Sequence, residues 1–255
     1  MNINFREIDK RLTELKIKDK DLESRKIWES VLDERTIVTL FKLLKRGLIS
    51  SVGGPISTGK EANLFHGYGE DDKEIAIKIY RIETGDFRDM YKYIIGDPRF
   101  EKVKKSRDGL IYLWTKKEHK NLKRAFENGV RVPKPIAFMN NILLMEFIGN
   151  NEKPAPKIKD IELSETELEK SFRKIIDYMR TLYQDAKLVH ADLSEYNILY
   201  YKGPVLIDMG QSVLNSHFNA IKFLRRDIKN ITRFFNDSGL KSPDEEELLK
   251  IIIGE

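Results

Sequence analysis

His190-Ala191-Asp192-Leu193-Ser194-Glu195-Tyr196-Asn197 decides the reading of this chain, with Leu206-Ile207-Asp208-Met209-Gly210 close behind it. A strongly periodic helix precedes the first segment. Ser164 and Glu167 form a capping-box pattern, and Leu168, Phe172, Ile175, Ile176, Met179 and Leu182 recur at helical spacing. Residues 197–201 and 205–208 read as short strands joined by Lys202-Gly203-Pro204. The pattern is an Asp, then an Asn, then a second Asp on the adjoining hairpin. Phosphoryl transfer needs little covalent chemistry from a protein, but it needs a nucleophile held in line and phosphate charge neutralised through oxygen-bound metal. Asp192 would orient the acceptor and take its proton, while Asn197 and Asp208 would hold the metal. Singly, these residues have plainer readings as an Asx-turn, a cap or a hairpin closure. Their joint spacing after that helix favours the chemistry.

Outward from this point the chain falls into two compositional halves. Residues 33–46 read as a helix with Ile37, Leu40, Phe41 and Leu44 on one face and Gly47 at its end. Short apolar runs broken by glycine follow, with 74–80 as a strand. Residues 81–112 read as a long mobile connection, 115–128 as a helix, and 141–148 as an apolar strand. Pro154 and Pro156 mark a boundary, after which helices dominate: 218–235, then a last one with Ser242 as N-cap and Pro243 in its first turn. The expected architecture is α+β, with two lobes meeting at a cleft.

Composition narrows the class. The chain has 255 residues, 40% hydrophobic and 34% charged, with a net charge of +5 and no cysteine. Disulfides and Cys-based zinc sites are excluded, and the four histidines lack metal-ligand spacing. No uncharged apolar run approaches the ~18 residues that span a bilayer, and the first ten residues lack a signal-peptide core. The expectation is a soluble, cytoplasmic protein. Residues 99–134 hold twelve Lys/Arg against four Asp/Glu, an excess larger than that of the whole chain. Such a stretch suits a phosphate backbone as well as it suits a solvated helix face.

Gly54, four residues, then Gly59-Lys60 almost completes a P-loop. Glu61 stands where a Mg²⁺-binding hydroxyl belongs, and no long helix opens after it, so the segment reads as a turn between strands.

Four segments together resemble the RIO family of atypical protein kinases, on its type-one branch: 57–63 (Ser-Thr-Gly-Lys-Glu-Ala-Asn), 76–80 (Ala-Ile-Lys-Ile-Tyr), 190–197 and 207–213 (Ile-Asp-Met-Gly-Gln-Ser-Val). The resemblance implies a bilobal protein-kinase-like fold. A small, mainly antiparallel N-lobe with one helix would occupy 48–149, a reduced helical C-lobe 150–255, and an N-terminal helical extension 1–47. It implies ATP with Mg²⁺, or Mn²⁺ in its place. Ser57, Thr58, Gly59 and Lys60 would border the phosphates, and Lys78 would neutralise them and pair with Glu118. Met145, Glu146 and Ile148 would form the adenine hinge. Asp192 is implied as catalytic base, with Asn197 and Asp208 as metal ligands. Relatives act in maturation of the small ribosomal subunit, so 99–134 would touch pre-ribosomal RNA. The chain departs from ordinary kinases in having Ser194 where a lysine would contact phosphate, no Ala-Pro-Glu segment, and little chain after Asp208. Two other functions compete: a small-molecule kinase of the aminoglycoside or choline type, whose His-Gly-Asp loop resembles 190–192, and a module holding ATP as a structural ligand.

Overall fold

The computed structural model describes residues 27–28, 32–82, 90–91, 93–95, 97–100 and 106–255. Expectations for residues 1–26, 83–89 and 101–105 lie outside these. The chain forms two compact units that interleave in sequence: 1–87, 103–116 and 135–147 make the first, and 88–102, 117–134 and 148–255 the second.

The first unit is a five-stranded antiparallel sheet. Its strands are β1 (Ser51–Thr58), β2 (Ala62–Tyr68), β3 (Glu74–Tyr80), β4 (Pro135–Met139) and β5 (Ile142–Glu146), in the order β1-β2-β3-β5-β4. Helix α1 (Glu34–Lys45) starts where Asp33 accepts the Thr36 N–H at 2.7 Å and ends before Gly47, whose φ of +72° suits a residue without a Cβ. Its buried face shares one core with the sheet: Ile37, Leu40 and Leu43 join Phe65, Ile77 and Leu144. Trp28 stacks on Phe65 with ring centroids 3.8 Å apart. Two amides join α1 to the β4–β5 turn. Asn141 donates to Thr36 Oγ1 at 2.8 Å, and Asn140 to Thr39 Oγ1 at 2.9 Å.

Helix α2 (Arg107–Glu127) runs from the first unit into the second. It begins well before Thr115, correcting the upper end of the mobile connection expected over 81–112. Ser106 supplies the cap: its Oγ accepts the Gly109 N–H at 3.2 Å. Asp108 and Gly109 had hidden this start, because neither favours a helix interior. Part of the same connection is also ordered by burial in the second unit, where Met90, Ile94 and Phe100 are inside.

The second unit holds β6 (Gly149–Asn150), β7 (Lys153–Pro154), α3 (Glu165–Gln184), β8 (Leu188–Val189), β9 (Ile198–Tyr200), β10 (Pro204–Leu206), β11 (Val213–Leu214), α4 (Ala220–Asp237) and α5 (Glu245–Ile253). The capping box of α3 forms, with the Ser164 N–H donating to Glu167 at 3.0 Å. Phe172 of α3 meets Phe235 of α4 edge to face at 5.3 Å, and Gln184 donates to the Ile252 carbonyl of α5 at 3.0 Å. Asp244, not Ser242, caps α5 by accepting the Glu246 N–H at 2.9 Å. Pro243 therefore lies before the cap instead of inside the first turn. Among the described residues no helix is long and apolar enough to cross a membrane.

Candidate active site

The site grows from the ends of two small β pairs in the second unit. Strand β8 pairs with β11, and the chain leaves β8 at His190. Strand β9 pairs with β10, with Leu206 opposite Ile198, and the Ile207 N–H extends the ladder to the Asn197 carbonyl at 3.0 Å. That register places Asn197 and Asp208 at the same end of one hairpin. Asp192 is tied in from the other side. The Asn197 amide donates to the Asp192 carbonyl at 2.8 Å and to its carboxylate at 3.2 Å.

The loop at 190–193 is not relaxed. Ala191 is fully buried with φ of +67°, and Asp208 has φ of +64°, conformations that cost a side chain about 1 kcal/mol or more. The buried carboxylate of Asp227, on α4, holds this shape by accepting the Ala191 N–H at 2.8 Å and the Leu193 N–H at 3.0 Å. Arg226 donates to the Ala191 carbonyl, and Asn230 to the Leu193 carbonyl at 3.0 Å. Burial pushes the Asp227 carboxyl up to about 8, against the two N–H donors and the Arg226 charge. None of these three α4 residues was singled out from sequence. A signal existed: Asp227 interrupts the apolar stripe Leu224, Ile228, Ile231, Phe235.

The charges around the two acids are unbalanced. Burial, and then the negative charge of Asp208, hold Asp192 above the usual carboxylate range, while Arg226 and the Asn197 amide pull it down. His190 is buried and its Nε2 lies 3.0 Å from the Ile207 carbonyl, so Nε2 carries the proton and donates. Its Nδ1 is buried without a hydrogen-bond partner, and burial pushes the imidazole down to about 4. The ring is therefore a neutral strut between the two acidic segments.

The donor set fits a hard cation that is shared with phosphate. With its nitrogen turned to Asp192, Asn197 offers only its carbonyl oxygen outward, and the repulsion between Asp192 and Asp208 is of the kind a divalent cation relieves. Among the described residues no cluster of three or more His, Cys, Asp or Glu could cage a metal unaided. Mg²⁺ commonly takes one or two carboxylates and completes its shell with water and phosphate oxygens.

The other residues singled out from sequence are distributed over both units. Ser57 and Thr58 end β1, and Gly59 and Lys60 form the turn to β2, all four exposed. The Gly59 N–H donates inside the hairpin, to the Ala62 carbonyl at 3.0 Å. Lys78 is half-buried on β3, opposite Leu143 of β5, with Nζ 5.2 Å from the Tyr80 ring. Met145 and Glu146 end β5 in the first unit. Ile148 is buried in the second, its carbonyl taken by the Ala155 N–H at 2.9 Å. Glu118 is buried on the part of α2 that belongs to the second unit. In the basic stretch, Lys117 is buried and Arg99 is paired with Asp97 at 2.6 Å, whereas Lys116, Lys120, Lys123 and Lys134 are exposed.

The chain is similar to known proteins over most of its length. The family model of the RIO domain matches residues 63–248. The RIO-type serine/threonine-protein kinase Rio1 of Haloferax volcanii is 42% identical over 97% of this chain and 84% of its own length. The human serine/threonine-protein kinase RIO1 is 41% identical over 91% of this chain, but the chain spans only 42% of that protein. Among solved structures, the Rio2 kinase of Chaetomium thermophilum, determined as an ADP/Mg²⁺-phosphoaspartate complex, superposes with a TM-score of 0.65 at 23% identity, over 86% of this chain and 67% of that one. The fold is thus kinase-like, as the resemblance implied.

Proposed function

The chain belongs to the RIO domain family, on its Rio1 branch, and on that premise we propose that it is an atypical serine/threonine protein kinase using ATP and Mg²⁺ in the cytoplasm. The observation that carries the reading is the convergence of Asp192, Asn197 and Asp208 on a loop whose backbone is pinned by Asp227.

Each residue has a distinct part. Asp192, with its affinity for protons raised by burial and by Asp208, accepts the proton of the acceptor hydroxyl as that oxygen attacks the γ-phosphorus. The bond to the bridging oxygen breaks and ADP leaves. Asn197 Oδ1 and the Asp208 carboxylate would hold Mg²⁺, whose charge would offset that developing on the phosphates. Lys78 would neutralise the phosphates further, and Ser57, Thr58, Gly59 and Lys60 would border them. Met145 lines the adenine pocket, and Glu146 and Ile148 bond the base through backbone atoms. With its carbonyl already engaged, Ile148 would offer the N–H.

Small ribosomal subunit maturation is the cellular role we propose. RNA contact would fall to the exposed Lys116, Lys120, Lys123 and Lys134, not to Arg99 or Lys117. Reversing the charge of Lys120, Lys123 and Lys134 should flatten the salt dependence of RNA binding, and an unchanged slope removes that role for the stretch.

The main test follows γ-labelled phosphate in Asp192→Ala. ATP binding should persist, and transfer to the protein itself or to added substrate should fall about 100-fold or more. Self-labelling at the wild-type rate would exclude Asp192 as the base. In the wild type, label released mainly as free phosphate would mark the turnover as ATPase, and label on a small-molecule alcohol would favour the aminoglycoside-type reading.

A further inference from the structure

The carbonyls of the turn after Asp208 are gripped by two side chains of α2, one helical turn apart. Lys117 Nζ donates to Gly210 O at 2.7 Å and to Ser212 O at 2.5 Å. Asn121 Nδ2 donates to Met209 O at 2.9 Å and to Ser212 O at 3.0 Å. All these residues belong to the second unit. A fully buried lysine spent on backbone carbonyls is a costly arrangement. The grip extends one residue further. Arg99 donates to Asn121 Oδ1 at 3.0 Å while its fork is held by Asp97, with Nε 2.9 Å from Oδ1 and Nη2 2.6 Å from Oδ2. That contact fixes which way the Asn121 amide faces, and hence which of its atoms meets the turn.

We propose that Lys117 and Asn121, oriented by Arg99, are positioning residues that set the metal-binding geometry of Asp208 through the carbonyls of 209–212. The physical reason is proximity along a stiff path. Asp208 sits in a left-handed conformation with the gripped turn directly after it, so displacing the turn re-aims the carboxylate. Groups that orient a metal ligand without touching the metal typically govern 10–100-fold in affinity.

This inference rests on the reading of Asp208 as a metal ligand, and the test separates the two. Calorimetric affinity for ADP is measured with Mg²⁺ and again in EDTA, for wild type, Asn121→Leu, Lys117→Met, Arg99→Lys and Asp208→Asn. Asn121→Leu should lose about 10-fold or more of the Mg²⁺-dependent gain in affinity while binding metal-free ADP as wild type does. Arg99→Lys keeps the charge but loses the fork, and should lose part of the same gain. It serves where Lys117→Met or Asn121→Leu fails to unfold cooperatively. A purely structural role would lower the thermal midpoint and leave the Mg²⁺-dependent gain intact, which overturns the proposal. If Asp208→Asn also keeps that gain, the metal assignment itself falls. If Asp208→Asn loses it and folded Asn121→Leu or Arg99→Lys does not, only the positioning role falls.

Discussion

Asp227 Oδ2 accepts the Ala191 N–H at 2.8 Å, so a helix late in the chain dictates the backbone shape of the loop that carries Asp192. The pairing explains how a buried alanine is kept at positive φ. The same carboxylate takes the Leu193 N–H, and the two bonds bracket Asp192.

Replacing Asp227 with alanine should therefore strand two buried donors. We expect a loss of about 2–6 kcal/mol in urea unfolding, since each of the two unsatisfied buried groups costs roughly 1–3 kcal/mol. Phosphoryl transfer should fall even in the fraction that remains folded. Asp227→Asn retains one acceptor and should lie between wild type and alanine in both measurements.

Removing the charge at Asp208 should act on metal, not on the nucleotide itself. Asp208→Asn is the informative change because asparagine tolerates the left-handed backbone found there. Titration with ATP should show the Mg²⁺-dependent part of the affinity reduced about 10-fold or more, with binding in EDTA little altered. Asn197→Leu should do the same and also free Asp192 from its amide donor.

A Cβ on Gly59 would meet the Ala62 carbonyl oxygen at 2.9 Å, and that oxygen is backbone that cannot swing aside. Gly59→Ala should open the β1–β2 turn, costing about 1 kcal/mol or more of stability. Under the proposed role for 57–60 it should also raise the Kd for ATP. Equal ATP affinity in a folded variant would remove that turn from the nucleotide site.

His190 predicts an acid limb of stability. Its imidazole is held near 4 in the folded protein against 6.5 for the ordinary side chain, so the unfolded chain binds the extra proton between those values. The sign follows: the contribution is complete above pH 6.5 and is lost as pH falls from there to about 4, amounting to about 3 kcal/mol. His190→Gln, which can still donate to the Ile207 carbonyl, should remove that contribution from the dependence of the urea midpoint over that range, where the raised carboxyl of Asp227 acts with the opposite sign. An unaltered slope would mean that the titrating group lies elsewhere.

Much of the layout was legible in the sequence, because local rules agree with the tertiary result wherever an element has one buried face. The α1 stripe, the β3 strand and the α3 capping box are each specified by residues within a few positions of one another. The family resemblance rested on equally local runs. Reading failed at the start of α2, where Asp108 and Gly109 mask a helix whose Ser106 cap was available, and at α5, where Pro243 was taken inside the helix that Asp244 begins.

Sequence by itself determined which residues are oxygen donors, how far apart they stand, and which segments are helix or strand, since propensity, capping and periodicity act over one or two turns of chain. Tertiary structure alone decided that Lys117 and Arg99, counted as part of a basic surface, point inward. It also decided that Asp227, one polar residue on an apolar stripe, holds the Asp192 loop. The reason is that a buried charge is defined by the partners that make burial tolerable, for Lys117 and Asp227 backbone groups distant in sequence, and no local pattern of residues encodes which carbonyl or N–H a folded chain will bring to it.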